Sequence, residues 1–386
     1  MHPTSRLLLG GFLTLAIVMG IGRFYYTPLL PLMQAQYGFG PDKAGLIAAA
    51  NFAGYLAGSL LASLAPRGGA RLAAFRLGLC ASVATTIAMG LTDDEAVWLA
   101  LRFVSGVASA FAMISAAGMI AESLSCVRSE ARLGWIFGGV GSGIAVSGVL
   151  VLMADPFLSP SQLWLAAGFL AAAVLPLPLL FVGERALPER RKAPPPRRRA
   201  ARPIAFWPLF VNYTCEGLGY SVFVTFIVAI IKGRPGLEGV GDFVWIAVGL
   251  AGLPSTLLWS GIAERIGFAN ALAAAYAVQI AAILLPVLSA GAPAAILAAF
   301  LFGGTFMAIT VLVMPLGRHG LNGRGFAILT AGFGLGQMLG PLFAGLLVTG
   351  AAGYDRALVA SAGAVAFGLA ALLLAMRRRA PGAAAT

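Results

Sequence analysis

The chain has 386 residues, 60% of them hydrophobic and only 10% charged, with a mean hydropathy of +0.91. Soluble domains carry about 25% charged residues, so no water-facing protein could bury this much apolar surface, and the solvent must be lipid. Three scattered cysteines (Cys80, Cys126, Cys215) and two histidines (His2, His319) exclude a disulfide framework or a metal cluster and leave little for nucleophilic chemistry.

Twelve apolar stretches of spanning length follow one another, near 7–33, 44–64, 72–91, 96–121, 133–153, 163–183, 206–231, 243–263, 270–288, 294–316, 326–349 and 357–376. Each can cross about 30 Å of hydrocarbon as a helix. The first is too long for the core of a signal peptide and lacks a small-x-small cleavage site in the expected place, so it is expected to be retained. Connections are short except for 184–205, a basic stretch with Pro188, Pro194, Pro195 and Pro196 that can neither enter lipid nor form a regular helix. It predicts an N-terminal six-helix half at 1–183, a linker at 184–205 and a C-terminal half at 206–386. The fold class expected is an all-α integral membrane protein with twelve transmembrane helices in two pseudo-symmetric halves.

The net charge of +12 is a topology signal. With the N-terminus in the cytoplasm, the inner side receives Arg67, Arg71, Arg76, Arg128, Arg132, the linker cations from Arg185 to Arg202, and Arg377 to Arg379. The outer side receives only Lys43, Lys232, Arg234 and Arg356 beside acids such as Asp93, Glu95, Asp155, Asp242 and Asp355. This asymmetry orients the chain with both termini cytoplasmic in a cell (inner) membrane. Nucleic-acid binding is not needed to explain it.

Arg23 lies near the middle of span 1, in Gly20-Ile21-Gly22-Arg23-Phe24-Tyr25-Tyr26-Thr27-Pro28. A guanidinium near the bilayer centre costs about 2.5–3.5 kcal/mol on insertion scales, and such groups are functional by default. It either binds an anionic group or pairs with a carboxylate. Glu216 is the one acid near the middle of any span. A carboxylate that alternates between a dry environment and one beside an arginine would take up and release a proton; a static pair with Arg23 or Arg102 is the plainer alternative. Asn212, Tyr213 and Tyr220 lie within i±3 or i±4 of Glu216 and predict one wall of a polar cavity. Asn51, Tyr55 and Gln337 are further cavity candidates, with helix-to-helix hydrogen bonding as their ordinary alternative. Tyr25, Tyr26, Pro28 and Pro31 predict a bent, interface-anchored end to span 1.

The two halves echo one another. Gly20-Ile21-Gly22-Arg23 in span 1 parallels Gly217-Leu218-Gly219-Tyr220 in span 7, and Gly134, Gly141 and Gly143 in span 5 parallel Gly325, Gly332 and Gly334 in span 11. The glycine rows predict close helix packing. Parallel six-helix repeats put a substrate path between the halves near the midplane.

With Arg102-Phe103-Val104-Ser105-Gly106 in span 4 and Ser260-Gly261-Ile262-Ala263-Glu264-Arg265-Ile266-Gly267 after span 8, the chain resembles a major facilitator superfamily (MFS) transporter. The segment GIGRFYYTPLLP in span 1 more narrowly resembles the YbfB/YjiJ-type branch. The resemblance implies a role for Arg102 in proton transfer or gating, against snorkelling to the outer interface. It also implies that Glu264 and Arg265 form an inner-gate latch. The Gly-Pro signature of the superfamily's antiporters is incomplete in span 5, although Gly336 to Pro341 carries one in span 11. The expected function is alternating-access transport of a small solute, with protons as coupling ion, the lipid bilayer as surroundings, no nucleic-acid partner, no metal or cofactor, and a monomeric state. A proton-linked drug or metabolite exporter is the alternative, and a non-transporting sensor a distant one. No enzymatic constellation is visible.

Overall fold

The computed structural model describes residues 3–64, 69–126, 133–183, 204–317, 325–348 and 353–377. Every regular element among them is helical. Twelve helices are long and apolar enough to cross a membrane, from 21 to 35 residues each. At 1.5 Å per residue the shortest of these reaches about 31 Å, enough for the hydrocarbon core. The spans are numbered in chain order: 1 (Pro3–Tyr37), 2 (Pro41–Leu64), 3 (Gly69–Met89), 4 (Glu95–Cys126), 5 (Gly134–Ala154), 6 (Pro160–Phe181), 7 (Phe206–Lys232), 8 (Val240–Ile266), 9 (Phe268–Leu288), 10 (Ala292–Gly317), 11 (Gly325–Leu347) and 12 (Gly353–Arg377). Short connections make neighbours alternate in direction, so odd spans finish and even spans begin at one end, termed the far end. The basic linker 184–203 lies outside the described residues, as do Arg67, Arg128, Arg132, His319 and the chain's last nine residues.

The packing repeats at an interval of six spans. Contacts of spans 2 with 4, 3 with 4, 3 with 6 and 1 with 5 recur as 8 with 10, 9 with 10, 9 with 12 and 7 with 11. The two main seams between halves are also a symmetric pair, 5 against 8 and 11 against 2. Both are glycine-lined. A Cβ at Gly141 would come 2.6 Å from the Gly249 carbonyl oxygen, and one at Gly45 would come 2.2 Å from that of Pro341. In lipid, where burial of apolar surface brings little, such backbone approach supplies the dispersion that holds helices together.

Span 1 is not one helix. An α-helix over Pro3–Leu15 passes into a π-helical segment, Ala16–Ile21, then a turn at residues 22–25, and resumes over Tyr26–Tyr37. The break precedes the prolines rather than coinciding with them, and Pro28 helps to cause it. Pro28 has no N–H to offer the Phe24 carbonyl. Thr27 N takes that carbonyl instead, at 3.2 Å, and so is drawn away from the Arg23 carbonyl that a regular helix would give it. Gly22 N and Phe24 N reach back five residues, to Ile17 O at 2.7 Å and Met19 O at 3.0 Å. π-segments of this kind concentrate at functional sites. The tyrosines after the break do not anchor at a membrane interface, as their sequence suggested. Tyr25 and Tyr26 are buried, their hydroxyls donating to Leu163 O at 2.9 Å and Ala44 O at 3.1 Å. They tie the second part of span 1 to spans 6 and 2.

Candidate functional site

The carbonyls released by the break in span 1 are taken up by span 4. Arg102 donates from Nη1 to Gly22 O at 3.0 Å and from Nη2 to Arg23 O at 2.9 Å, and Ser105 Oγ donates to Gly22 O at 3.2 Å. Arg102 is buried, and its guanidinium lies 5.3 Å from the Tyr26 ring centroid. It does not snorkel; a side chain bonded to two backbone carbonyls in the bundle interior has no reason to reach for water. Asn51 Nδ2 donates to the carbonyl of Arg102 itself at 3.0 Å, so spans 1, 2 and 4 interlock at one level. Gly106 serves the same junction, since a Cβ there would fall 2.1 Å from Asn51 O.

This arrangement holds Arg23 with its backbone fixed and its side chain in the interior, 3% exposed. Its guanidinium carbon lies 4.1 Å from the ring centroid of Tyr55, 4.7 Å from that of Phe52 and 5.6 Å from that of Phe24. Cation–π contacts of this sort contribute most when desolvated. Nε and Nη2 have no hydrogen-bond partner, and no ion pair among the described residues joins Arg23 to Glu216. Of the two readings open for Arg23, static pairing with Glu216 is therefore not the one found.

Glu216 projects from span 7 toward span 9, where Gln279 Nε2 donates to Oε1 at 2.6 Å; Oε2 is unpartnered. The wall expected on one face of span 7 divides in two. Asn212 lies with Glu216, donating from Nδ2 to Gly368 O at 2.8 Å and accepting the Tyr276 hydroxyl at Oδ1 (3.1 Å) and at its carbonyl oxygen (3.2 Å). It pins spans 7, 9 and 12 together and has little left for a solute. Tyr213 and Tyr220, a quarter-turn away at 100° per residue, face spans 10 and 11. Tyr213 stacks on Phe333 with centroids 4.3 Å apart, and Tyr220 stacks on Phe333 at 5.6 Å and Phe306 at 6.2 Å. Gln337 Nε2 donates to the Tyr220 hydroxyl and leaves its own Oε1 unpartnered. The Tyr55 hydroxyl makes a long contact, 3.8 Å, to Met113 Sδ. Glu264 and Arg265 are exposed at the end of span 8 and form no ion pair among the described residues.

Sequence reasoning missed Phe52, Phe306 and Phe333 as walls and Gln279 as the partner of Glu216. Gln279 could have been found from its i+3 spacing to Tyr276 on a span otherwise free of long polar side chains. The phenylalanines carry no such signal.

A family model described as "Uncharacterised MFS-type transporter YbfB" matches residues 15–374. The chain belongs to this family of major facilitator transporters. No curated protein matches its sequence. Among solved structures, the nucleoside transporter NupG aligns with a TM-score of 0.74 at 12% identity, covering 98% of this chain and 100% of NupG. A bacterial homologue of the human lysosomal transporter Spinster, inward-facing and unoccupied, aligns at 0.69 with 16% identity, covering 99% and 100%. At such identities the MFS members share the fold, and the site must speak for itself.

Proposed function

We propose that this MFS transporter moves a small organic anion into the cell together with a proton. The carrying observation is that each half contributes a buried charged side chain with unpartnered polar atoms at the centre, Arg23 and Glu216, and that the two are not paired with one another; Arg102, also buried, has both terminal nitrogens on backbone carbonyls. A free cation suits an anionic solute, and a carboxylate with one unengaged oxygen suits a proton. Moving one anion with one proton is electrically neutral, so a single cation and a single acid suffice. The incomplete Gly-Pro signature of span 5 favours uptake over antiport.

In this reading residues 1–183 and 206–386 rock as two bodies about the central site, joined by the linker 184–205. The near end is cytoplasmic, with both termini there, and the membrane is the cell's inner membrane. Asn51 and Arg102 position Arg23, whereas Tyr55, Tyr213, Tyr220 and Gln337 line the solute site. Glu264 and Arg265, unpaired among the described residues, act as a latch only if the near end closes on them.

The test is solute-driven proton entry into proteoliposomes loaded with a pH-sensitive dye. Organic anions should acidify the lumen beyond protein-free vesicles, and neutral solutes and amines should not. Glu216→Gln should abolish proton entry while solute counterflow survives. Full coupling in that variant would refute the proton assignment. Wild-type flux in Arg23→Lys would show that the forked guanidinium is not what the solute meets.

A further inference from the structure

Building on the reading of the centre as the solute site, we infer that the solute is a planar aromatic monocarboxylate. Its carboxylate lies against one edge of Arg23, and its ring lies along the aromatic face of spans 7, 10 and 11. The two unpartnered atoms of Arg23, Nε and Nη2, are not an arbitrary pair. They share the side of the guanidinium where two N–H bonds run parallel, the geometry that meets both oxygens of a carboxylate at once. The same group lies over the rings of Tyr55 and Phe52, at 4.1 and 4.7 Å from their centroids. What is left without a partner is a buried edge, and once the halves part an edge selects a flat, two-pronged acceptor.

The ring face is built by Tyr213, Phe333, Tyr220 and Phe306. Their planes are nearly parallel, at 12° between Tyr213 and Phe333, 3° between Tyr220 and Phe333, and 16° between Tyr220 and Phe306. Aromatic pairs are stabilised by offset stacking beyond the area they bury, so aligned rings favour a flat apolar guest over a branched or saturated one. Phe24 links the two parts. It is the residue after Arg23, its ring is 5.6 Å from the guanidinium carbon, and it meets Phe306 edge-on at 6.2 Å.

Charge limits the guest to one negative group. Both terminal nitrogens of Arg102 are spent on the carbonyls of Gly22 and Arg23. A dianion such as a phosphate monoester would find one cation and, across the centre, Glu216. A carboxylate finds its match in the single free edge.

The test is calorimetric binding to the full-length protein in nanodiscs, with no gradient and no flux. The probes are benzoate, 2-naphthoate, their neutral amides, acetate and phenyl phosphate. At least one aromatic carboxylate should bind about tenfold or more tightly than its amide, acetate and phenyl phosphate. Arg23→Gln should remove the preference for acid over amide, and Phe333→Ala the preference for benzoate over acetate. Amides binding as well as acids, acetate matching benzoate, phenyl phosphate binding best, or no aromatic acid binding at all would each overturn the assignment. The comparisons among ligands use unaltered protein, so they stand even if a variant misfolds. Tight binding without transport would count against the transport reading alone. Proton-coupled flux of another solute with no binding of these acids would count against this inference alone.

Discussion

At the residue scale, Arg102 shows how a charge can be indispensable without touching solute. Its two terminal nitrogens take two successive carbonyls of span 1, so it holds open the turn that aims Arg23. A lysine there has one ammonium and could serve one carbonyl well. We expect Arg102→Lys to lose one charge-assisted hydrogen bond, about 1.5–3 kcal/mol, seen as a lower thermal unfolding midpoint. Affinity for the anion should fall with it, because Arg23 lies between the two carbonyls that Arg102 holds, the second being its own. Unchanged affinity in a destabilised variant would reduce Arg102 to a packing residue. Arg23 and Glu216 were legible in the sequence because a charge in an apolar span must find a partner or a function in lipid. Their surroundings were not. Phe52, Phe306 and Phe333 are three among 24 phenylalanines, and in a membrane an apolar side chain is as much at home facing lipid as facing a site. The fate of Asn212 was hidden for another reason: i+4 spacing put it beside Glu216, but its partners Gly368 and Tyr276 lie on spans that only folding brings near.

At the scale of elements, the spans were readable to within a few residues, because some twenty consecutive apolar positions have one physical meaning. A bend in span 1 was expected from its prolines, but its position was not, nor was the break in span 6. Spans 1 and 6 each divide, the latter into Pro160–Val174 and Pro176–Phe181. Hydropathy registers composition, whereas a break depends on where individual carbonyls find donors. Gly22 and Pro28 were visible, but only the diversion of Thr27 N and the arrival of Arg102 decide where span 1 opens. One element boundary does follow from a motif residue. Gly267, the last position of the segment after span 8, is the single residue between the helices Val240–Ile266 and Phe268–Leu288, with φ 89° and ψ 150°. That region is essentially closed to side-chain-bearing residues and costs on the order of 1–3 kcal/mol. Gly267→Ala should therefore destabilise by about that amount in reversible denaturation. Gly261→Ala, in the same motif but helical and with open space around its Cβ position, should be neutral or gain up to about 1 kcal/mol. Equal effects at the two glycines would mean that helix propensity, and not the turn, sets the requirement.

At the scale of the molecule, the contacts between halves are unequal at the two ends, and this implies a conformational state. Residues 219–231, the far half of span 7, are buried without interruption, whereas its near half, 206–218, mixes buried with partly exposed positions. The second part of span 1 touches span 7, with Thr27 Oγ1 donating to Val224 O at 2.6 Å. The far end is thus sealed, and alternating access requires that this seal part. Most far-end ion pairs do not cross it: Lys43–Glu95 at 2.7 Å stays in the first half, and Lys232–Asp242 at 2.9 Å and Arg234–Asp355 at 2.7 Å stay in the second. These pairings also neutralise Lys43, Lys232 and Arg234 at the far end. One pair does cross, Lys232 to Asp155 at 3.8 Å, with the carboxylate about one-third exposed. A partly exposed pair of this length contributes about 0.2–1 kcal/mol. Asp155→Asn should accordingly raise the far-end-open population about 1.5- to 5-fold, read as faster labelling of a cysteine placed at Thr27 or Val224. Asp355→Asn removes a pair within one half and should leave the labelling rate unchanged. If both substitutions accelerate labelling alike, the pair between halves is not a latch and the seal rests on the packing of spans 1 and 7. If neither does at low ionic strength, where exposed charges interact most strongly, the same conclusion follows.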